Sequence, residues 1–299
     1  MSNISDTVTQ RVMPAPTARV KVSDGDELDV WVFGEGTPVV FVHGGMMRDF
    51  LVPLADELAK RGDYQAIHFG RRGHGGRGLP AEATDIPGQA ADVVAILDAL
   101  GIENAHVAGH SFGAYIALEL AGRAPDRLLS ALLLELVLGA HLKTEESQQG
   151  LKGFTEVVAP AMAEKYASGD RSGAVAMFYE VTSSVEGART VVESALPKGA
   201  GELAAADLAT FLQIDGPAMD AWVTMAEPAT IREITTPITW IGGADSPPHF
   251  TESRDILQEW LPMTTSVDIA AAGHYFPLLK PAETAAAVGE WCEARSRRC

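Results

Sequence analysis

The chain has 299 residues, 46% hydrophobic and 21% charged, with 23 Lys and Arg against 40 Asp and Glu and a formal net charge of −17. Such a composition buries a sizeable core and rules out disorder of the whole chain. A surface this acidic repels phosphate and anionic lipid, which argues against nucleic-acid and peripheral-membrane partners.

No run approaches the roughly 18 apolar residues of a membrane span, and Met1–Val20 carries no apolar stretch like a signal peptide. Cys292 and Cys299 both lie at the C-terminal end, too close to it to staple a fold. A cytoplasmic protein is therefore the expectation. Arg295, Arg297 and Arg298 read as a solubilising tail that suits the negative end of a last helix.

Residues 1–18 read as a loose N-terminal arm. Arg19–Val22 and Leu28–Val32 alternate with period two around Asp24-Gly25-Asp26, which predicts a β-hairpin with one buried face. Pro38–Val42 is a continuous apolar run of strand length, the pattern of a strand covered on both faces. Helix and strand then take turns: Leu51–Lys60, Gln65–Phe69, Gly88–Leu100, Ala105–Ala108, Ala114–Ala124 and Leu132–Leu134. This alternation predicts an α/β protein with a mostly parallel central sheet flanked by helices and an antiparallel edge made by the hairpin.

The pattern changes over 140–226. No strand-like run appears there, and Pro160, Gly169, Pro197-Lys198-Gly199 and Gly216-Pro217 cut an alanine-rich stretch into helical pieces. Strands return at Pro237–Ile241 and Ser266–Ile269, and a last helix covers about Ala282–Arg295. The expected organisation is a core formed by 19–139 and 227–299, interrupted by a helical cap over 140–226.

The strongest chemical signal is Gly109-His110-Ser111-Phe112-Gly113, which follows a strand and precedes a helix. That is the context a G-x-S-x-G nucleophile elbow demands: a strained turn exposes the serine, and its neighbours at ±2 must lack side chains. A glycine-rich structural turn with an exposed serine is the plainer alternative, and the strand-then-helix setting weighs against it. Two later segments add to the elbow. Thr239-Trp240-Ile241-Gly242-Gly243-Ala244-Asp245 is a strand running into a G-x-x-D loop. Ala271-Ala272-Gly273-His274 is a Gly-His loop before the last helix.

With these three motifs in this order, the chain from about Arg19 onward resembles the α/β-hydrolase fold family, in particular its capped esterase- and lactonase-like members. The resemblance implies a triad in the chain order serine, acid, histidine. Ser111 would attack, His274 would accept its proton and return it to the leaving group, and Asp245 would hold the imidazole tautomer. Asp245 also fits ordinary turn chemistry. Its rival is Glu135, after the Leu132–Leu134 strand, where some relatives place the acid; motif context favours Asp245. The oxyanion donors implied are the amides of Phe112 and of Gly45 in His43-Gly44-Gly45-Met46, with Met46 as a second candidate. His43 reads as a structural residue pinning that loop. His110 and Met46 are candidates to touch substrate.

One motif departs from the family pattern. Relatives commonly carry Asp-x-Arg-Gly-x-Gly-x-Ser where this chain has Gly70-Arg71-Arg72-Gly73-His74-Gly75-Gly76-Arg77. Arg71, Arg72 and His74 read as a solvated loop surface, with contact to a substrate carboxylate as the alternative. The remaining histidines show no metal spacing and no phosphate loop is present, so neither a metal nor a cofactor is expected.

The bulky residues of the cap (Met162, Met177, Phe178, Tyr179, Phe211, Met219, Trp222 and Met225) divide between cap packing and an apolar pocket above Ser111. The function expected is a serine hydrolase cleaving a carboxylic ester or lactone of a hydrophobic small molecule through an acyl-enzyme. An amidase, a carbon–carbon bond hydrolase or a cofactor-free perhydrolase would use the same triad. A non-catalytic ligand-binding protein on a hydrolase fold is the alternative from another class. A homodimer is left open.

Overall fold

A computed structural model describes residues 10–296 other than 24, 184 and 186, and for Thr224, Met225 and Ser296 the backbone alone. The first half of the arm (residues 1–9), Asp24 of the hairpin turn, the Met225 side chain, Arg297, Arg298 and Cys299 thus lie outside the described residues.

Eight strands form one sheet in the order β1-β2-β4-β3-β5-β6-β7-β8. β1 (Ala18–Lys21) and β2 (Glu27–Phe33) are the expected hairpin, and β2 also pairs antiparallel with β4 (Tyr64–Phe69). β3 (Thr37–Val42), β5 (Ala105–His110), β6 (Leu128–Leu134), β7 (Ile238–Gly243) and β8 (Thr265–Ile269) continue from β4, every pair parallel. The expectation of a mostly parallel sheet with an antiparallel edge holds.

Continuous apolar runs are explained by cover on both faces. Val40 and Val42 join one core with α2 (Ile86–Ala99) and α3 (Phe112–Arg123), whereas Val39 and Phe41 join a second with α1 (Val52–Ala59). Successive side chains of a strand point to opposite faces, so one run feeds both layers.

Among the described residues the insertion between β6 and β7 holds helices and no strand: α4 (Glu145–Lys152), α5 (Ala159–Ala167), α6 (Arg171–Ser183), α7 (Ala188–Ala195), α8 (Ala200–Thr210), α9 (Gly216–Met225) and α10 (Pro228–Ile231). Two π-helical stretches, Gly153–Val158 and Phe211–Asp215, join neighbouring helices without a break. Such stretches often mark functional sites.

Three helices follow β7: α11 (Pro248–Trp260), α12 (Phe276–Leu279) and α13 (Pro281–Ser296). The sequence reading has no counterpart for α11, although Phe250, Ser253, Leu257 and Trp260 form a buried stripe at helical spacing. Among the described residues no helix is long and apolar enough to cross a membrane.

The described part of the arm is not loose. The Thr17 N–H donates to Val30 O at 2.8 Å, Trp31 Nε1 donates to Pro14 O at 2.9 Å, and the Lys198 N–H donates to Arg11 O at 2.8 Å. Residues 11–17 thus run along the sheet and touch the cap.

Candidate active site

Ser111 stands between β5 and α3 with φ 53° and ψ −117°, a region costly for a residue with a side chain. The surroundings enforce it. Its N–H donates to Glu135 O at 2.9 Å and to Leu134 O at 3.2 Å, tying the elbow to the end of β6. A Cβ on Gly109 would lie 2.0 Å from Gly113 O, and one on Gly113 would lie 2.0 Å from Val42 O. Both positions therefore exclude every other residue type. As the cap position of α3, Ser111 meets the positive end of the helix dipole.

His274 lies on the loop after β8 and, with Ser111, lines a cavity of about 570 Å³. Its Nδ1 is 2.6 Å from Glu135 Oε2. When Glu135 is ionised it only accepts, and in that form Nδ1 carries the proton and Nε2 keeps its lone pair. Glu135 follows β6 with φ 58° and is 1% exposed. Burial raises its pKa, while the nearby Ser246 hydroxyl and the Gly243 N–H, which donates to Oε1 at 2.8 Å, favour the ionised form. Burial lowers the pKa of His274 to about 3, which keeps the imidazole neutral.

Asp245, favoured from motif context, is not the carboxylate beside His274. Its side chain is exposed, and its N–H donates to Ala272 O at 2.9 Å, stitching the loop after β7 to the loop that carries His274. The G-x-x-D segment contributes the Gly243 amide instead, on which Glu135 rests. A Cβ there would collide with Ala272 O at 2.3 Å.

The oxyanion-loop residues also separate. Gly44 and Gly45 line the cavity, and a Cβ on Gly44 would lie 3.1 Å from the Cβ of Ser111. Phe112 begins α3, so its N–H has no acceptor within the helix. The Met46 side chain is wholly buried in the core beneath the loop, which removes it as a substrate contact, and Met47 lines the cavity in its place. His110 lines the cavity too. Its Nε2 donates to His274 O at 3.0 Å, and its ring stacks between Phe50 and His274 with centroids 4.5 Å from each. Phe250 stacks on the other face of His274 at 4.2 Å. The His274 imidazole is therefore held by rings above and below and by a carboxylate at its edge.

Arg71, Arg72 and His74 are neither solvated nor free to meet a substrate carboxylate: all three are buried. Arg72 pairs with Asp92 of α2 at 2.7 Å through Nε. Arg71 pairs with Asp215 of the cap through both terminal nitrogens, at 2.9 and 2.7 Å, and His74 Nε2 lies 3.2 Å from the same carboxylate. Burial opposes the charge on Asp215, but Arg71 and His74 hold its pKa down to about 2. The loop itself is gripped by the cap, with the Gly75 and Gly76 N–H groups donating to Asp207 at 2.7 and 2.8 Å and Thr210 Oγ1 donating to Gly73 O at 2.8 Å. Cap residues thus replace the polar anchors that the 70–77 loop lacks. Arg71 and Asp215 are 144 positions apart, and nothing local in the sequence links them.

Of the bulky cap residues, Phe178, Phe211 and Met219 line the cavity with Phe154 and Val181. Met162 and Tyr179 are buried packing, and Trp222 packs on Tyr115 and donates to Glu119 at 2.6 Å. No lysine or arginine lines the cavity among the described residues, and no group of three metal-ligating side chains is present among them.

Residues 39–287 match the alpha/beta hydrolase family, and the chain belongs to that family. Among curated proteins it is 30% identical over 161 residues to a non-heme haloperoxidase of Rhodococcus erythropolis, a stretch covering 49% of this chain and 56% of that one. The chain spans about two fifths to a little over half of the length of curated relatives that it matches. Among solved structures it is similar to an esterase of Exiguobacterium antarcticum, with a TM-score of 0.71 and 16% identity, covering 92% of this chain and 99% of that one. It is also similar to Est816, described as an N-acyl homoserine lactone degrading enzyme, with a TM-score of 0.63, 23% identity and coverage of 91% and 99%. These two likenesses speak to the fold.

Proposed function

We propose that the protein is a serine hydrolase that cleaves a carboxylic ester or lactone of an uncharged, largely apolar small molecule through an acyl-enzyme, with Ser111, His274 and Glu135 as its triad. The observation that carries this reading is the 2.6 Å contact between Glu135 and His274 Nδ1. It leaves Nε2 of a neutral imidazole free in the cavity that Ser111 also lines. Ser111 Oγ attacks the carbonyl carbon while His274 takes its proton. The charge that develops on the carbonyl oxygen meets the amides of Gly45 and Phe112. Collapse of the tetrahedral adduct expels the alcohol, which takes the proton from His274. Water, deprotonated by His274, then releases the acid and frees Ser111. In a lactone the expelled alcohol stays attached to the acyl group.

The apolar lining and the absence of cationic side chains support a neutral acyl group over a carboxylate- or phosphate-bearing one. Turnover of a panel of acyl esters and lactones by wild type and Ser111→Ala tests the reading. Hydrolysis of at least one member, lost in the variant, is expected. A folded wild type that turns over none would favour a ligand-binding protein. The likeness to a non-heme haloperoxidase supports a second reading, in which hydrogen peroxide replaces water in the second step and a peracid is released. Peracid formation from an ester and peroxide, measured against hydrolysis, separates the two.

A further inference from the structure

The guanidinium of Arg71 has five N–H donors, and each has an acceptor. Nε donates to His43 O at 3.2 Å, Nη1 to Gln89 Oε1 at 2.7 Å and to Asp215 Oδ1 at 2.9 Å, and Nη2 to Gly44 O at 2.9 Å and to Asp215 Oδ2 at 2.7 Å. Its plane lies over the Phe112 ring with Cζ 4.3 Å from the centroid. One side chain thus grips the loop after β3, the first residue of α3 and the π-helical stretch of the cap.

The consequence lies in the peptide between Gly44 and Gly45. In a trans peptide the C=O and N–H point in opposite directions. Gly44 O is held by Arg71 Nη2 and also by His43 Nδ1 at 2.8 Å, while His43 Nε2 accepts the Arg71 N–H at 3.1 Å. With the carbonyl fixed toward Arg71, the Gly45 N–H must face the other way. It donates to no acceptor among the described residues, and Gly45 lines the cavity. A cation on the carbonyl also polarises the amide, which strengthens the N–H as a donor.

We propose that Arg71 is a positioning residue for the oxyanion hole and that Asp215 couples it to the cap, so that the Gly45 amide is aimed and polarised only while the 211–215 stretch is docked. The inference rests on the serine hydrolase reading. It gives the π-helical stretch a task, since Phe211 at its start lies against Gly45, close enough that a Cβ there would sit 2.6 Å from the ring, and Asp215 at its end holds the arginine. Neither Arg71 nor Asp215 need touch the substrate's reacting atoms.

The test compares wild type, Arg71→Lys, Asp215→Asn and Asp207→Asn, each checked for folding by its melting curve. Asp207→Asn is the control, because it removes a neighbouring cap contact, to Gly75 and Gly76, and leaves the Asp215–Arg71 pair in place. A fluorophosphonate reports the fraction of sites labelled and the rate, and a p-nitrophenyl ester reports kcat and KM. Arg71→Lys and Asp215→Asn are expected to label completely but about 10- to 100-fold more slowly. Their kcat should fall in parallel, with KM within about threefold of wild type. Asp207→Asn should stay within about threefold of wild type on every measure. Rates in the two variants no slower than in Asp207→Asn, or a rise in KM alone, would overturn the inference while leaving the serine hydrolase reading intact. A folded wild type that takes no label would overturn that reading and the inference with it. If Arg71→Lys does not fold, Asp215→Asn, which keeps the shape of the side chain, carries the same comparison.

Discussion

Glu135 Oε2 lies 2.6 Å from His274 Nδ1, across the end of β7, while Asp245 at the tip of the following loop faces solvent. Two strands thus present carboxylates near one histidine, and only the first reaches it. Glu135→Gln removes the charge that stabilises the imidazolium and offers a donor amide that favours the wrong tautomer. The expected loss in kcat is about 10²- to 10⁴-fold. Asp245→Asn should leave kcat within about twofold. Steady-state ester hydrolysis by the two variants makes the comparison, and the reverse order would return the acid to the loop after β7.

The pH profile follows from the same pair. In the proposed triad the working form has Glu135 ionised and His274 neutral, and a proton added to the pair silences it, so kcat/KM should rise with pH along one acid limb. Burial raises the pKa of Glu135 and lowers that of His274, so the limb belongs to the coupled pair rather than to either group. In Glu135→Gln the imidazolium loses its counter-charge and the limb should move to lower pH. A limb that stays in place in the variant would show that the pair does not control it.

The elbow should tolerate no side chain at Gly113, where a Cβ would lie 2.0 Å from Val42 O. Gly113→Ala is expected to cost about 3 kcal/mol or more, as for overpacking into fixed backbone. That amounts to roughly 6 °C or more in Tm. A melting curve within a degree or two of wild type would mean that the elbow can open to admit the methyl group.

Phe211 lines the cavity against Gly45 and packs edge-on to Phe178, with centroids 5.3 Å apart. Phe211→Ala should remove about 1 kcal/mol of apolar contact with a bound acyl chain. KM for a medium-chain ester should therefore rise roughly fivefold, with a smaller change for an acetate. Equal changes for short and long acyl groups would place the acyl chain elsewhere.

Much of the fold was legible because its signals are local. Apolar runs mark strands covered on both faces, and the breaks in 140–226 mark helices. The elbow was legible because two glycines at ±2 around a serine answer a steric demand that few other turns make. The acid was not. Glu135 follows Leu132–Leu134 without a motif of its own, and its reach to His274 depends on the β6–β7 pairing, which sets Leu134 beside Ile241. The G-x-x-D segment looked like the carrier of the acid, yet it provides the amide on which Glu135 rests. Arg71, Arg72 and His74 looked like a solvated loop because glycines surround them. Their partners, Asp92 and Asp215, lie on helical segments 20 and 144 positions further along the chain.

The most direct test of the account is the site of a fluorophosphonate adduct. Wild type and Ser111→Ala are treated with the probe, and intact mass and peptide mapping locate the label. The account predicts one adduct per chain on Ser111 and none in the variant. An adduct on another residue, equal labelling of the variant, or no adduct on the folded wild type would contradict it.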